Sequence, residues 1–205
     1  MPKSNKGQTI SEYPTFFVYV PASLQSWADT VKGAEFGIED ENGNEIYSDA
    51  ISLPSDSGIV SVSIPSTPDT PKLEVGKNYI WYFHVICDWQ NNPLDRSSIH
   101  YVESRIQRVE ASDALAMGLK QNSVRDLVDL YAEEGMWFDL LKTLAELRRD
   151  RPGDLLLAAE WARLLRHERV QLSDLAEEPS STAAQKTVAI RLYQVPNQGG
   201  KIVDC

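Results

Sequence analysis

Through roughly the first hundred residues, apolar positions recur with a period near two. Thr15–Val20 (TFFVYV) is β-branched and aromatic, and it is bounded by Pro14 and Pro21, which cannot sit in a central ladder. Ala34–Asp40 and Glu45–Ser52 flank Glu41-Asn42-Gly43-Asn44. Asn-Gly between two strand-like runs predicts a hairpin with a type I′ turn, because that turn needs residues tolerant of positive φ. Gly58–Ile64 alternates, with Val60, Val62 and Ile64 on one face and Ser61 and Ser63 on the other. Tyr79–Cys87 is almost continuously apolar, which predicts a central strand buried on both faces, with Tyr79, Trp81 and Phe83 sharing a core-facing side. Ile99–Val109 alternates again, Val102 and Ile106 opposing Glu103, Arg105 and Gln107. Short strands separated by turn signals predict an antiparallel, sandwich-like β domain over residues 1–110. Ser23–Lys32 reads two ways, as a short helix capped by Ser26 or as a loop.

Beyond residue 111 the period lengthens to that of a helix. Ser112 is a predicted N-cap for a helix running to about Lys120, and Asn122 or Ser123 caps the next. Val124, Leu127, Val128 and Tyr131 make an amphipathic stripe that Gly135 closes. Trp137, Leu140, Leu141, Leu144, Ala145 and Leu147 make a second stripe, ending in Arg148-Arg149-Asp150-Arg151-Pro152. A third begins near Gly153-Asp154 and carries Leu157, Trp161, Leu164 and Leu165. Leu127, Tyr131, Gly135, Trp137 and Pro152 resemble the spacing of a tetratricopeptide repeat, although Leu140 and Leu147 stand where that family prefers small residues. The expectation is a helical segment over 111–178 packed on the β domain, since the connection from Val109 to Ser112 is short and contains no Pro or Gly.

Charge adds a third division. The chain has 205 residues and a net charge of −10. Residues 1–102 carry 13 acidic and six basic side chains, residues 103–178 carry 16 and 11, and residues 179–205 carry one and three. The acidity argues against nucleic acid or an anionic membrane as partner, because phosphate-binding surfaces need an excess of Lys and Arg. No apolar run is long enough to span a bilayer as a helix. The slightly basic end opens with the linker-like Pro179-Ser180-Ser181-Thr182, then shows strand-like alternation in Thr187–Tyr193 and a second short strand candidate in Gly199–Val203. This predicts a linker and tail over 179–205 whose strand returns to the sheet.

Eight phrases, in order, carry a wider resemblance: Ser11–Pro21, Gly58–Pro65, Leu73–Phe83, Ile86–Asp88, Asp95–Ser97, Val102–Glu103, Arg105–Val109 and Tyr131–Phe138. Together they resemble the cyanobacterial domain of unknown function 928 over about residues 7–178. The resemblance implies a cyanobacterial source, an extracytoplasmic or periplasmic location and an interaction role, and it implies no activity. Relatives usually carry a signal peptide, a Cys-containing segment and a further strand before the Tyr13-Pro14-Thr15-Phe16-Phe17 phrase. Here Met1-Pro2-Lys3 leads almost directly into it, with no apolar secretion segment in view. The two expectations are a start that has been cut away and a cytoplasmic variant.

The candidate chemistry is sparse. Two cysteines allow no disulfide scaffold and no four-Cys zinc site. Cys87 and Cys205 would meet as a disulfide if the tail joins the sheet, or else remain an inert strand residue and a chain end. Asp88, Asn91, Asn92 and Asp95 gather oxygen ligands in one loop that suits Ca²⁺, or they bond their own backbone as a polar turn. His84, His100 and His167 are scattered, and His84 and Cys87 have opposite parity along a strand, so no Cys–His dyad is expected. No phosphate loop, Gly-x-Ser-x-Gly or His-Glu-x-x-His motif occurs. Trp27, Trp89, Tyr131 and Trp137 are candidate partner-binding aromatics. The leading expectation is an α+β, non-enzymatic interaction module with a protein partner, with no catalytic residues and no cofactor. The alternatives are a carbohydrate- or calcium-binding surface domain and a degenerate or accessory hydrolase.

Overall fold

A computed structural model describes residues 6–20, 31–53, 58–87 and 101–166. The elements run β1 (Lys6–Thr9), β2 (Thr15–Val20), β3 (Val31–Asp40), β4 (Glu45–Ile51), β5 (Gly58–Ser63), β6 (Asn78–Cys87), β7 (Tyr101–Arg108), α1 (Asp113–Gln121), α2 (Val124–Glu134), α3 (Trp137–Asp150) and α4 (Leu155–Arg166). The chain is α+β, with a five-stranded sheet of order β1-β7-β6-β3-β4 and a two-stranded sheet of β2 and β5. Strand–turn alternation followed by helical stripes explains this content directly.

One pairing departs from the antiparallel reading. β1 lies parallel to β7, with Lys6 opposite Arg105 and Thr9 opposite Arg108. Lys6-Gly-Gln-Thr9 has no apolar alternation, so no strand is legible there. It is made by the free edge of β7 and by α3 packing over it. The long strand β6 also departs from expectation. Tyr79, Trp81, Phe83 and Val85 are buried, whereas Ile80, Tyr82, His84 and Ile86 on the opposite face are only half-buried. The hairpin turn differs too. The Gly43 N–H donates to the Asp40 carbonyl and the Asp40 N–H to that of Asn44, so Glu41 and Asn42 are the central residues. Gly43 follows them in the left-handed region (φ +80°), giving a three-residue loop in place of a two-residue turn. Asp40 drives this choice: its carboxylate accepts from the N–H groups of Asn42 and Asn44 and from the Asn44 side chain.

The chain divides into two compact units. The first comprises residues 1–16, 63–79 and 105–179, and so holds β1 and all four helices. Its core includes Phe16, Leu73, Ile106, Leu115, Phe138, Leu141, Leu144, Leu157, Trp161 and Leu165. Gly7 lets α3 come close, because a Cβ there would sit 2.5 Å from the Phe138 ring. Phe138 meets Phe16 edge-on at 5.3 Å. Arg108 ties down the neighbouring loops by donating to the carbonyls of Leu73 (2.7 Å) and Ile10 (3.4 Å) and pairing with Glu12. The second unit comprises, among the described residues, 17–20, 31–53, 58–62, 80–87 and 101–104. There Phe36 stacks on Trp81, Ala34 and Ile38 are buried, and Tyr82 lies across Gly37, where a Cβ would fall 2.1 Å from the ring.

Helices α1, α2 and α4 begin at side-chain caps, whereas α3 starts after Met136 with none. Ser112 caps α1 by accepting from the Leu115 N–H, and Ser123 and Asp126 form a reciprocal capping box on α2. Gly135 ends α2 in the left-handed conformation (φ +74°). Asp154 accepts from the N–H groups of Leu156 and Leu157 and so fixes the start of α4. Of Ser23–Lys32, expected as a short helix or loop, Val31 and Lys32 instead open β3, and residues 23–30 lie outside the described residues, as does the returning strand expected in 179–205.

Candidate functional site

Leu155-Leu156-Leu157 opens α4, and an amphipathic helix can turn only one of three consecutive side chains to its core. Leu157 takes that place and is buried with Trp161 and Leu165, at the four-residue spacing of a single face. Leu155 and Leu156 are left 83% and 65% exposed. Continuing along that outer face from Leu155 at i+3, i+4, i+7 and i+8 come Ala158, Ala159, Ala162 and Arg163, with Ala158, Ala159 and Arg163 exposed. The face is thus apolar at its start, thin in the middle and cationic towards its end.

Other apolar side chains stand in solvent nearby in sequence: Met117 and Leu119 on α1, and Val124 at the start of α2. An ion pair between Arg125 and Glu160 joins the start of α2 to the middle of α4. The second carboxylate oxygen of Glu160 is buried without a hydrogen bond. This pair neutralises the only acidic side chain within α4. Beneath the surface, the Arg148 guanidinium lies 4.9 Å from the Trp161 ring centre, and burial holds its pKa below the usual arginine value. The result is a firmly seated helix whose outward side chains have little to hold them down.

The aromatic candidates are placed differently. Tyr131 is buried in the core of the helical segment, and burial, followed by the nearby Asp139 charge, raises its phenol pKa. Trp137 is half-buried at the start of α3, with its indole N–H buried and without an acceptor. Tyr131 therefore presents no ring face to solvent. Trp27, Trp89, the loop oxygens of Asp88, Asn91, Asn92 and Asp95, and Cys205 lie outside the described residues, and with them the pairing of Cys87 to Cys205. His84 stacks on Tyr82, ring centres 4.5 Å apart. Burial, then the charges of Glu35, Glu45 and Glu39, raise the Tyr82 phenol pKa. Among the described residues no group of three or more His, Cys, Asp or Glu is placed to hold a metal ion, and no helix is long and apolar enough to cross a membrane.

Sequence reasoning missed Asp139. It is 9% exposed in the first turn of α3, where its carboxylate accepts from the Ile10 N–H (3.2 Å) and from the Thr9 hydroxyl. It therefore ties the end of β1 to α3. Burial raises its pKa above the ordinary carboxylate value. The available signal was an acid inside the otherwise apolar run Trp137–Leu141. The exposed leucines were legible in the same way, from a leucine triplet that no single helix face can absorb.

An α+β fold of this kind serves many functions, so the fold by itself assigns none. The chain belongs to the family described as Domain of Unknown Function (DUF928), whose model matches residues 1–180. No curated protein matches it.

Proposed function

We propose that this protein is a non-enzymatic interaction module that binds a protein partner through its helical segment, within an extracytoplasmic assembly. One observation carries the reading. Among the described residues, the large apolar side chains left in solvent are Val75, Met117, Leu119, Val124, Leu155 and Leu156, and all but Val75 lie on helices. Leu155 and Leu156 are adjacent and the most exposed of these, and exposed apolar side chains that lie together mark interaction surfaces where singly scattered ones do not. The tetratricopeptide-like spacing of α2 and α3 supports the same reading, since helical hairpins of that kind commonly serve as binding surfaces for partners.

The test is site-specific photo-crosslinking of the full chain in an extract of the organism that encodes it. A crosslinking residue at Ala159, on the outer face of α4, should yield protein adducts. The same residue at Ser48, exposed on β4, should not. Adducts equal at both positions, or at neither, would overturn the proposal.

A further inference from the structure

The outer face of α4 has a charge as well as an apolar surface, and the two together specify a partner. Within α4 the basic side chains are Arg163 and Arg166 and the one acid is Glu160, a net of +1 in a chain whose total is −10, while Arg148 of α3 is engaged with the Trp161 ring. The acids in and beside the helix are occupied locally. Asp154 caps α4 through two backbone N–H groups. Glu160 is paired with Arg125. Asp150 lies 3.7 Å from Arg149. Arg163 is exposed on the same face as Leu156 and Ala159, so the stripe presents cationic and apolar groups without an exposed acid of its own.

The small side chains of Ala158, Ala159 and Ala162 leave room for a second helix to lie close along the stripe. A helix docked there would set apolar residues against Leu155, Leu156 and the alanines, and carboxylates beside Arg163. A basic partner would place like charge beside Arg163, and an extended strand would find no sheet edge to join. Resting on the interaction reading above, we infer that the outer face of α4 takes an acidic amphipathic helix that carries leucines at i, i+3, i+4 and i+7 and glutamates on its flanks.

The probe is a labelled synthetic helix of that pattern, with a counterpart in which every Glu is replaced by Lys. Each is titrated by fluorescence anisotropy against the full chain and its variants. The Glu peptide should bind the wild type about tenfold more tightly than the Lys peptide, with the difference shrinking at high salt. Leu155→Ala/Leu156→Ala should weaken the Glu peptide about tenfold. That variant keeps its fold, because both leucines are exposed and Ala is at least as good a helix former. Arg163→Glu should weaken the Glu peptide several-fold and strengthen the Lys peptide. Unchanged Glu-peptide binding by Arg163→Glu, or equal binding of the two peptides, overturns the acidic-partner inference. The interaction reading then stands or falls separately on the crosslinks at position 159. Failure of both peptides to bind, capture of α4 by anionic phosphatidylglycerol vesicles instead, or concentration-dependent self-association abolished by Leu155→Ala/Leu156→Ala each overturns the inference too, the last two by naming a lipid surface or a second copy as the occupant.

Discussion

Gly7 sits in β1 under the ring of Phe138, and replacing it with Ala tests how β1 and α3 are held together. The added Cβ would lie 2.5 Å from Cε2 of Phe138 and 3.2 Å from Cδ2 and Cζ. Ordinary contact begins near 3.4 Å, so the ring must give by about 1 Å. It has little room, being buried and already engaged edge-on with Phe16. Overpacking of this kind costs ~1–3 kcal/mol. Part of this is offset by ~0.4–1 kcal/mol, because Ala restricts the unfolded chain. The net loss is about 1–2 kcal/mol, which for a chain of this size lowers Tm by ~3–6 °C. Circular dichroism melts of Gly7→Ala, Phe138→Leu and the double variant measure it. The smaller, flexible Leu makes room, so the double variant should be more stable than the sum of the singles predicts, by at least ~0.5 kcal/mol. A Gly7→Ala melt within about 1 °C of wild type, or strictly additive variants, would refute the close approach of β1 to Phe138.

Asp139→Asn probes the buried carboxyl beside Thr9 and Ile10. Because burial raises its folded pKa, the wild type's contribution from this group is fullest below the ordinary carboxyl value and is lost as pH rises through the raised one. The Asp139→Asn variant should therefore gain on the wild type in urea denaturation as pH rises above the ordinary carboxyl value of about 4, and a stability difference independent of pH would count against the assignment. Asp40 runs the opposite way: its bonds to Asn42 and Asn44 hold its pKa down to about 2. Its support for the hairpin is present above the ordinary carboxyl value and lost as pH falls through about 2, so the Asn42 and Asn44 amide shifts should titrate there, and a midpoint near the ordinary value of about 4 would exclude those bonds. Arg108→Met removes the donors to the Leu73 and Ile10 carbonyls and should cost ~2 kcal/mol, with Arg108→Lys restoring only part of it; equal urea midpoints for wild type and Arg108→Met would show that the clamp contributes nothing.

Local patterning fixed most of the element list. Val60, Val62 and Ile64 fall on one buried face as their alternation requires, and Ser112, Ser123 and Gly135 cap where their side chains and conformational freedom allow. The Asp40–Asn44 turn was legible in place but not in type, because the Asp40 carboxylate competes for the backbone N–H groups and shifts the loop by one residue. The candidate surface was legible only in part. The stripe of Leu157, Trp161 and Leu165 marks Leu157 as the leucine of the triplet that turns to the core, but only the folded chain shows that Leu155 and Leu156 stand out in solvent.

The sequence by itself therefore determined where strands and helices form, since period, caps and turn residues act within a few positions of one another. Only the tertiary structure decided what meets across long separations. It set β1 parallel to β7 across about a hundred residues, laid Phe138 over Gly7, brought the Asp139 carboxylate to the Ile10 N–H and joined Arg125 to Glu160. Such contacts leave little local trace. A glycine, an acid in an apolar run or a four-residue polar strand is stabilised by a partner that the chain reaches only once it is folded.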